Sequence, residues 1–242
     1  MSAHGTGNEP DGGMPIRDAA CLVLVDRSGA QPRLLMGRRH ESQVFLPNKW
    51  VFPGGRVEED DRALAMVLAE NAGLVRATKN CGETECTSAL VPFALTAIRE
   101  TFEETGHFLG RATAVGAIEG LPPAWQRIID LGLSPDFDSF QPLARAITPP
   151  GRPRRFDTWF FMAEWPPDTG VRGMSDGELL DVGWFTMTQV RDLDLPIITR
   201  YIVDDVATAL EAKPPGDRPL IPFYFQDVDG YRRTLIDAVW PV

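Results

Sequence analysis

One eight-residue stretch, Arg99–Gly106, constrains this 242-residue chain more than any other. If the stretch is helical, at about 100° per residue, then Glu100, Glu103 and Glu104 fall within about one 100° arc of the helix surface. The opposite side carries an apolar stripe of Val91, Leu95, Ile98 and Phe102. The pattern predicts a helix that packs on a core through one face and holds three carboxylates on the other.

Three carboxylates this close repel one another. Like charges three and four residues apart destabilise a helix by about 0.2–0.5 kcal/mol per pair, so a nearby cation would offset the repulsion. Carboxylate oxygens suit a hard divalent ion, which makes Mg²⁺ or Mn²⁺ the natural cofactor. A solvated acidic face without any ion is the alternative, and the cluster taken alone does not decide between the two.

A Gly-Gly turn precedes the acidic helix. The segment Phe52–Glu58 resembles the end of a strand that runs into Gly54 and Gly55, where backbone can approach a ligand closely. With Arg99–Gly106 added, the chain resembles the Nudix hydrolases, whose box reads G-x5-E-x7-R-E-U-x-E-E-x-G-U with U apolar. The matching residues are Gly55, Arg99, Glu100, Glu103, Glu104 and Gly106. Asp61 stands where the family has its first glutamate, and Thr101 and His107 stand at apolar positions.

The box is interrupted in this chain. The family pattern places seven residues between its first acid and its arginine, whereas thirty-seven residues, 62–98, stand there here. We interpret residues 62–98 as an insertion that forms an extra helix and a loop. Ser88 is the expected N-cap of the acidic helix, and Gly106 is the expected stop.

The resemblance implies an α/β (α+β) fold in which a mixed β-sheet is sandwiched between helices, with helical insertions. We expect residues 1–15 to form a disordered tail, 16–242 to form a single domain, and 121–143 to form a helical excursion. Strands are predicted at Ala19–Val25, at Arg33–Gly37, at Ala114–Ile118 and, as the final strand, around Phe223–Phe225.

The resemblance also implies how a metal would be held. Glu104 and Glu103 would be the main ligands, and the Gly55 carbonyl would be a further one. Glu100 would act either as a ligand or as the general base.

Three further residues take roles beside the metal ligands. By resemblance, Arg99 would orient a glutamate through an ion pair, and Asp61 would join Arg99 if the insertion leaves the two residues close. Glu178 lies in a polar loop before a strand with a tryptophan, and many Nudix proteins carry a similar glutamate that helps to position the water or metal. Solvation of a loop is the alternative explanation for Glu178.

Arginines before the Gly-Gly turn and in a later loop are candidates for phosphate binding. Arg38 precedes the Gly-Gly turn, and Arg154 and Arg155 lie in a loop rich in proline and glycine. A guanidinium group can bind a phosphate through two parallel N–H···O hydrogen bonds, so these three residues are predicted to contact the substrate. A solvated basic surface is the alternative for each.

Nudix hydrolases cleave the diphosphate of a nucleoside diphosphate linked to another moiety. The insertion, followed by Ile147–Pro149 and Arg154–Thr158, resembles the Nudix branch that includes a peroxisomal coenzyme A diphosphatase. This resemblance implies cleavage of CoA or acyl-CoA to 3′,5′-ADP and (acyl-)phosphopantetheine. The alternatives are an ADP-ribose or dinucleotide pyrophosphatase, and a Nudix-fold nucleotide-binding module without activity.

Composition narrows the partners. The formal net charge of −10 argues against binding to nucleic acid or to a membrane surface, since both need basic patches. No apolar run approaches the roughly 18 residues that a membrane span requires. The three cysteines, Cys21, Cys81 and Cys86, form no CxxC pair, which favours a reducing cytoplasm. The expected partner is a small nucleotide-diphosphate substrate, and the sequence leaves a homodimer open.

Overall fold

The computed structural model describes residues 15–70, 90–112, 121–135, 137, 140–166, 171–212 and 220–238. Its strands are β1 (Ile16–Asp26), β2 (Arg33–Arg39), β3 (Trp50–Val51), β4 (Gly54–Arg56), β5 (His107–Phe108), β6 (Gly110–Ala112), β7 (Leu133–Pro135), β8 (Gln141–Ile147), β9 (Arg155–Glu164), β10 (Val171–Arg172), β11 (Leu179–Thr186), β12 (Leu220–Asp227) and β13 (Gly230–Asp237). Its helices are α1 (Glu59–Glu70), α2 (Val91–Thr105), α3 (Pro123–Asp130), α4 (Met187–Asp192) and α5 (Ile197–Glu211).

A nine-stranded mixed sheet organises these elements. Its strand order is β11-β2-β1-β9-β8-β12-β13, with β3 beside β2 and β4 beside β1. The pairs β1–β9 and β8–β12 are parallel, and the other pairs of this sheet are antiparallel. Strand β1 is central, which explains why Ala19–Val25 is a nearly continuous apolar run rather than an alternating one.

Helices cover both faces of the sheet. Successive side chains of a strand point to opposite faces, so Leu22 packs in the core under α1, α2 and α3, and Val23 packs in the core under α4 and α5. The fully buried Ile98 of α2 belongs to the first core, and the fully buried Ile202 of α5 belongs to the second. The predicted fold class, a mixed sheet between helices, is confirmed.

Helix α2 carries the acidic motif. Its C-terminal end agrees with the prediction and its N-terminal end does not. The helix begins at Val91 with Leu90 as its N-cap, and no side chain caps it. Ser88, which lies outside the described residues, is therefore not the N-cap. The C-terminal stop is as expected: Gly106 adopts a left-handed φ of 73°, and its N–H donates to the Phe102 carbonyl at 2.8 Å.

Several other segments differ from expectation. The 121–143 excursion is helical only in α3 and continues into β7 and the start of β8. The aromatic run near the C-terminus lies in β12, which is followed by a further strand, β13, because a turn at 228–229 returns the chain. The predicted tail, apart from residue 15, the predicted strand at 114–118 and residues 71–89 of the insertion lie outside the described residues.

Within the described ranges, no helix is both long and apolar enough to cross a bilayer. Cys21 is a free thiol in β1. Cys81 and Cys86 lie outside these ranges, so the cytoplasmic location inferred from cysteine usage stays a prediction.

Candidate active site

The Gly-Gly turn packs directly against the acidic face of α2. Strand β4 pairs with β1 so that Gly55 lies opposite Ala20. A Cβ atom on Gly55 would lie 2.4 Å from the Glu100 carboxyl carbon, and a Cβ on Gly54, at φ 154°, would lie 2.3 Å from the Ala20 carbonyl oxygen. Glycine at position 55 therefore lets Glu100 of α2 touch the backbone of β4, and glycine at position 54 lets β4 lie close to β1.

Glu104 is the most deeply buried of the three glutamates, with 2% of its surface exposed. Its Oε2 accepts a hydrogen bond from the Gly54 N–H at 2.8 Å, and no ion pair reaches it from any residue that the structure describes. Burial raises the pKa of Glu104 well above its ordinary value, because one N–H bond and the charge of Arg39 offset the desolvation only in part. Its carboxylate is thus a buried charge without a bonded cation.

Glu100 and Glu103 share one arginine. Arg99 Nη1 donates to Glu100 Oε1 at 2.9 Å and to Glu103 Oε2 at 3.0 Å. Burial raises the pKa of Glu100 to about 7, against the opposing charge of Arg99. Burial likewise raises the pKa of Glu103. One guanidinium nitrogen is therefore insufficient to compensate both carboxylates.

The rest of Arg99 binds Asp61, at the start of α1. Arg99 Nε and Nη2 donate to the two Asp61 oxygens at 2.9 and 2.8 Å, and Nη2 also donates to the Arg56 carbonyl at 3.2 Å. Arg99 is 4% exposed and Asp61 is fully buried. The insertion thus leaves Asp61 and Arg99 in contact although 38 positions separate them along the chain.

Asp61 has three further donors among the described residues. They are the Thr96 hydroxyl at 2.8 Å, the Glu58 N–H at 3.1 Å and the Trp125 indole N–H at 3.0 Å. Sequence reasoning did not predict the contact of Trp125 with Asp61, because Trp125 lies in α3, beyond the motif. An indole needs a partner when it is buried, and that requirement is the one signal that could have suggested such a contact.

Two neighbouring arginines of β2 lie in different surroundings. Arg38 donates to Asp181 Oδ2 from Nε at 2.8 Å and from Nη2 at 2.6 Å. Arg39 donates to the Phe45 carbonyl at 2.9 Å, and its charge opposes the rise in the pKa of Glu104. Arg39 therefore acts on the charge of the acidic cluster, whereas Arg38, the arginine of this pair predicted to bind the substrate, is paired with Asp181. The alternation of side chains along a strand is the signal that separates the two.

The loop arginines lie at the edge of this region. Arg155 pairs with Ile16 at the start of β1, four residues from the level of Ala20 and Gly55, or about 13 Å along the strands. Arg155 donates to the Thr148 carbonyl at 3.1 Å, and Arg154 is exposed. Their contact with a substrate stays a prediction.

Glu178 lies immediately before β11. It is exposed, it accepts a hydrogen bond from Gln43 at 2.9 Å, and its charge contributes to the raised pKa of Glu104 after the larger effects of burial and of Glu100. The structure thus brings Glu178 into electrostatic range of the cluster.

The donor set fits a hard divalent cation. Glu104, Glu103 and Glu100 offer carboxylate oxygens beside the Gly55 backbone, and these are ligand types that Mg²⁺ and Mn²⁺ prefer. Among the described residues, no three His, Cys, Asp or Glu side chains already converge tightly enough to hold an ion. Arg99 Nη1 bonds one oxygen of Glu100 and one oxygen of Glu103, so the second oxygen of each carboxylate has no bond to Arg99.

Comparison with known proteins gives consistent findings. No family profile matches the chain. Among curated proteins, the chain is similar to the acyl-coenzyme A diphosphatase NUDT19 of Gallus gallus, at 30% identity over 60% of this chain. The match spans about half of that relative's length, 54%. Among solved structures, the chain is similar to a Nudix hydrolase from Alicyclobacillus acidocaldarius, with a TM-score of 0.59 and 28% identity over 80% of this chain and 92% of the other.

Proposed function

We propose that this chain, which belongs to the Nudix hydrolase superfamily, hydrolyses the diphosphate of a nucleoside diphosphate linked to another moiety, with a divalent metal ion as cofactor. The observation that carries the proposal is the carboxylate of Glu104, which is buried against the Gly-Gly turn and forms no ion pair with a side chain of the described residues. A buried charge in that state needs a cation, and a diphosphate substrate needs one as well.

In the proposed reaction, water attacks one phosphorus atom and the bond from that phosphorus to the bridging oxygen breaks. A bound Mg²⁺ or Mn²⁺ would neutralise the diphosphate and make the water more acidic. Glu104 and Glu103 would hold the ion together with the Gly55 carbonyl. Glu100 would be a further ligand or would accept the proton of the water, and Arg99 would keep Glu100 in place.

Positively charged and polar groups around the cluster have proposed roles with the substrate. Arg39 is the better candidate for a phosphate contact at the reacting centre, because its charge already acts on Glu104. Arg154 and Arg155 would contact a more distant phosphate. Arg38 would contact the substrate while it keeps its ion pair with Asp181. Glu178 would help to position the water or the metal.

CoA or acyl-CoA is the substrate we favour, with 3′,5′-ADP and (acyl-)phosphopantetheine as products. The similarity to an acyl-coenzyme A diphosphatase supports this choice, and the arginines of residues 149–155 would suit the additional 3′-phosphate of CoA. ADP-ribose and dinucleotides are the alternative substrates within the same chemistry.

Product analysis tests the proposal. Purified protein is incubated with Mg²⁺ and separately with CoA, acetyl-CoA, longer acyl-CoAs, ADP-ribose, NADH and dinucleoside polyphosphates, with Glu104→Gln as the blank. Release of 3′,5′-ADP from CoA compounds by the wild type alone is the expected result. Cleavage of ADP-ribose with CoA inert would move the substrate and keep the chemistry. No turnover with Mg²⁺ or Mn²⁺, together with nucleotide binding, would favour an inactive binding module.

A further inference from the structure

A tryptophan from outside the Nudix motif reaches into the network behind the carboxylates. Trp125 of α3 is fully buried, and its Nε1–H donates to Asp61 Oδ1 at 3.0 Å. Among the residues that the structure describes, Asp61 Oδ1 has two donors, Trp125 Nε1 and Arg99 Nε. One of these two donors belongs to a segment that follows the motif by some twenty residues.

Arg99 transmits the position of Asp61 to the glutamates. Two of its nitrogens, Nε and Nη2, are fixed by the two Asp61 oxygens. Its third nitrogen, Nη1, binds Glu100 and Glu103. Because a guanidinium is planar and rigid, the orientation of the Asp61 carboxylate determines where Nη1 lies.

We propose that Trp125 is a positioning residue of the hydrolytic site, which acts through Asp61 and Arg99 on Glu100 and Glu103. The inference rests on the proposed function for its activity measurement, and the metal-binding measurement below is independent of any substrate. Without the indole N–H, the buried Asp61 Oδ1 would keep Arg99 Nε as its one donor within the described part of the chain, so the carboxylate and the guanidinium bound to it would lose orientation.

The shorter side chain at position 61 explains why a residue of α3 can reach the carboxylate. Asp61 stands where the motif has glutamate, and its carboxylate lies one methylene closer to its own backbone. Trp125 reaches that carboxylate from α3, which also bonds to the start of α1, because the Ala124 N–H donates to Asp60 Oδ2 at 2.9 Å. Helix α3 thereby contributes two contacts to α1, one to a half-buried carboxylate and one to the carboxylate that orients Arg99.

The chain offers a matched control for the test. Trp165 is 3% exposed, and its Nε1–H has no hydrogen-bond partner among the residues that the structure describes. Trp125→Phe and Trp165→Phe remove the same atoms from buried sites, but Trp125→Phe alone removes a hydrogen bond to Asp61. Comparison of the two variants separates the effect of this hydrogen bond from the effect of lost packing volume.

The experiment measures kcat and KM on the best substrate of the panel, Mn²⁺ affinity by calorimetry without substrate, and the melting temperature, for wild type and both variants. Loss of a partner that orients metal-site residues reduces activity or metal affinity about 10–100-fold. We expect Trp125→Phe to lower kcat by about that factor with KM changed less than about threefold, and to weaken Mn²⁺ binding about tenfold. Trp165→Phe should keep both kcat and Mn²⁺ affinity within about twofold of wild type.

Each result decides the inference. Equal kcat and equal Mn²⁺ affinity in Trp125→Phe and Trp165→Phe would overturn it while leaving the proposed function intact. A wild type that binds Mn²⁺ but turns over no substrate would fail the proposed function, and the Mn²⁺ affinities would still decide the role of Trp125. A wild type with neither property would overturn both. As a second check, Trp125→Phe should add less than about twofold to the loss in an Asp61→Asn background, because coupled residues are not additive.

Discussion

Two buried carboxylates lie on either side of Arg99 and Glu100, and they are satisfied in opposite ways. From the residues that the structure describes, Asp61 accepts five hydrogen bonds, two of them from Arg99. From the same residues Glu104 accepts one hydrogen bond, from the Gly54 N–H, and no ion pair. Both side chains are almost fully withdrawn from water, at 0% and 2% exposure, so burial does not account for the difference.

The difference separates a carboxylate whose charge is compensated by donors of the protein itself, Asp61, from one whose charge needs a ligand, Glu104. A buried charge is tolerated when it is paired and fully hydrogen-bonded, as Asp61 is. Glu104 lacks that compensation. A buried acid whose pKa is strongly raised, beside a glycine turn, is typical of a functional site. Substitution should therefore damage the fold at Asp61 and the activity at Glu104.

Glu104→Gln is the largest expected effect on activity. Removal of a main metal ligand should lower turnover by about 10³-fold or more, since charge neutralisation dominates phosphoryl chemistry. The free energy of unfolding should stay unchanged or rise, because the variant removes a buried charge without a bonded cation. Steady-state kinetics and urea denaturation measure the two quantities. Glu59→Gln, at an exposed position, is the control, and a Glu104→Gln rate within tenfold of wild type would contradict the assignment.

Asp61→Asn should be the largest effect on stability. It removes the charge of the fully buried carboxylate that binds Arg99 Nε and Nη2, and breaking such a buried pair costs about 3–5 kcal/mol of unfolding free energy. Asp18→Asn is the matched control, because the Arg62–Asp18 ion pair is 42% exposed at each side chain and should contribute less than about 1 kcal/mol. Urea denaturation of both variants measures the contrast. Equal losses would mean that the Asp61 network is not a structural element.

Metal addition tests whether Glu104, the carboxylate without an ion pair to the described residues, binds a divalent ion. At about 100 times its dissociation constant, an ion that binds only the folded state adds about 2.7 kcal/mol of stability. We expect Mg²⁺ or Mn²⁺ to raise the unfolding midpoint of EDTA-treated wild type, and to leave Glu104→Gln unchanged. The midpoints are read from urea titrations with and without metal. An equal rise in both proteins would place the ion away from Glu104.

Sequence reasoning was most informative where a motif is local. The acidic face of α2 and the stop at Gly106 depend on positions within one helix, so helical periodicity was enough to predict them. The contact of Asp61 with Arg99 was predicted only if the insertion left the two residues close, and the structure meets that condition. The start of the helix was wrong because Leu90 stands at the N-cap without any capping side chain, and no local signal marks such a start.

Contacts set by tertiary structure could not be predicted. Trp125 follows the motif by a distance that no periodicity relates to Asp61. The choice between Arg38 and Arg39 depends on which face of β2 points toward α2, and on a bulge in β11 that brings Asp181 to Arg38. The partners of Asp61 and Arg38 that come from other elements therefore required the structure. The glutamates of α2 were visible in the sequence because they lie within one motif.

Asp26 offers the smallest test, at a third buried carboxylate. It is 4% exposed, and it accepts hydrogen bonds from the Ser28 N–H and from Arg33. Burial alone would raise the pKa of Asp26, but these two partners hold it below its ordinary value, the reverse of Glu104. Asp26 therefore belongs with Asp61 among the carboxylates that the chain completes.

The sign of this pKa shift fixes the pH dependence. Because the folded-state pKa is lower than the unfolded value of about 3.9, Asp26 stabilises the fold above that value, and the contribution is lost as the pH falls through the folded-state pKa. Asp26→Asn should cost about 1 kcal/mol at neutral pH, and the cost should shrink in acid. Urea denaturation of wild type and variant across the acid range measures it. A cost that stays constant with pH would show that the partners of Asp26 do not favour its charged form, and would leave Asp61 as the one compensated carboxylate of the three.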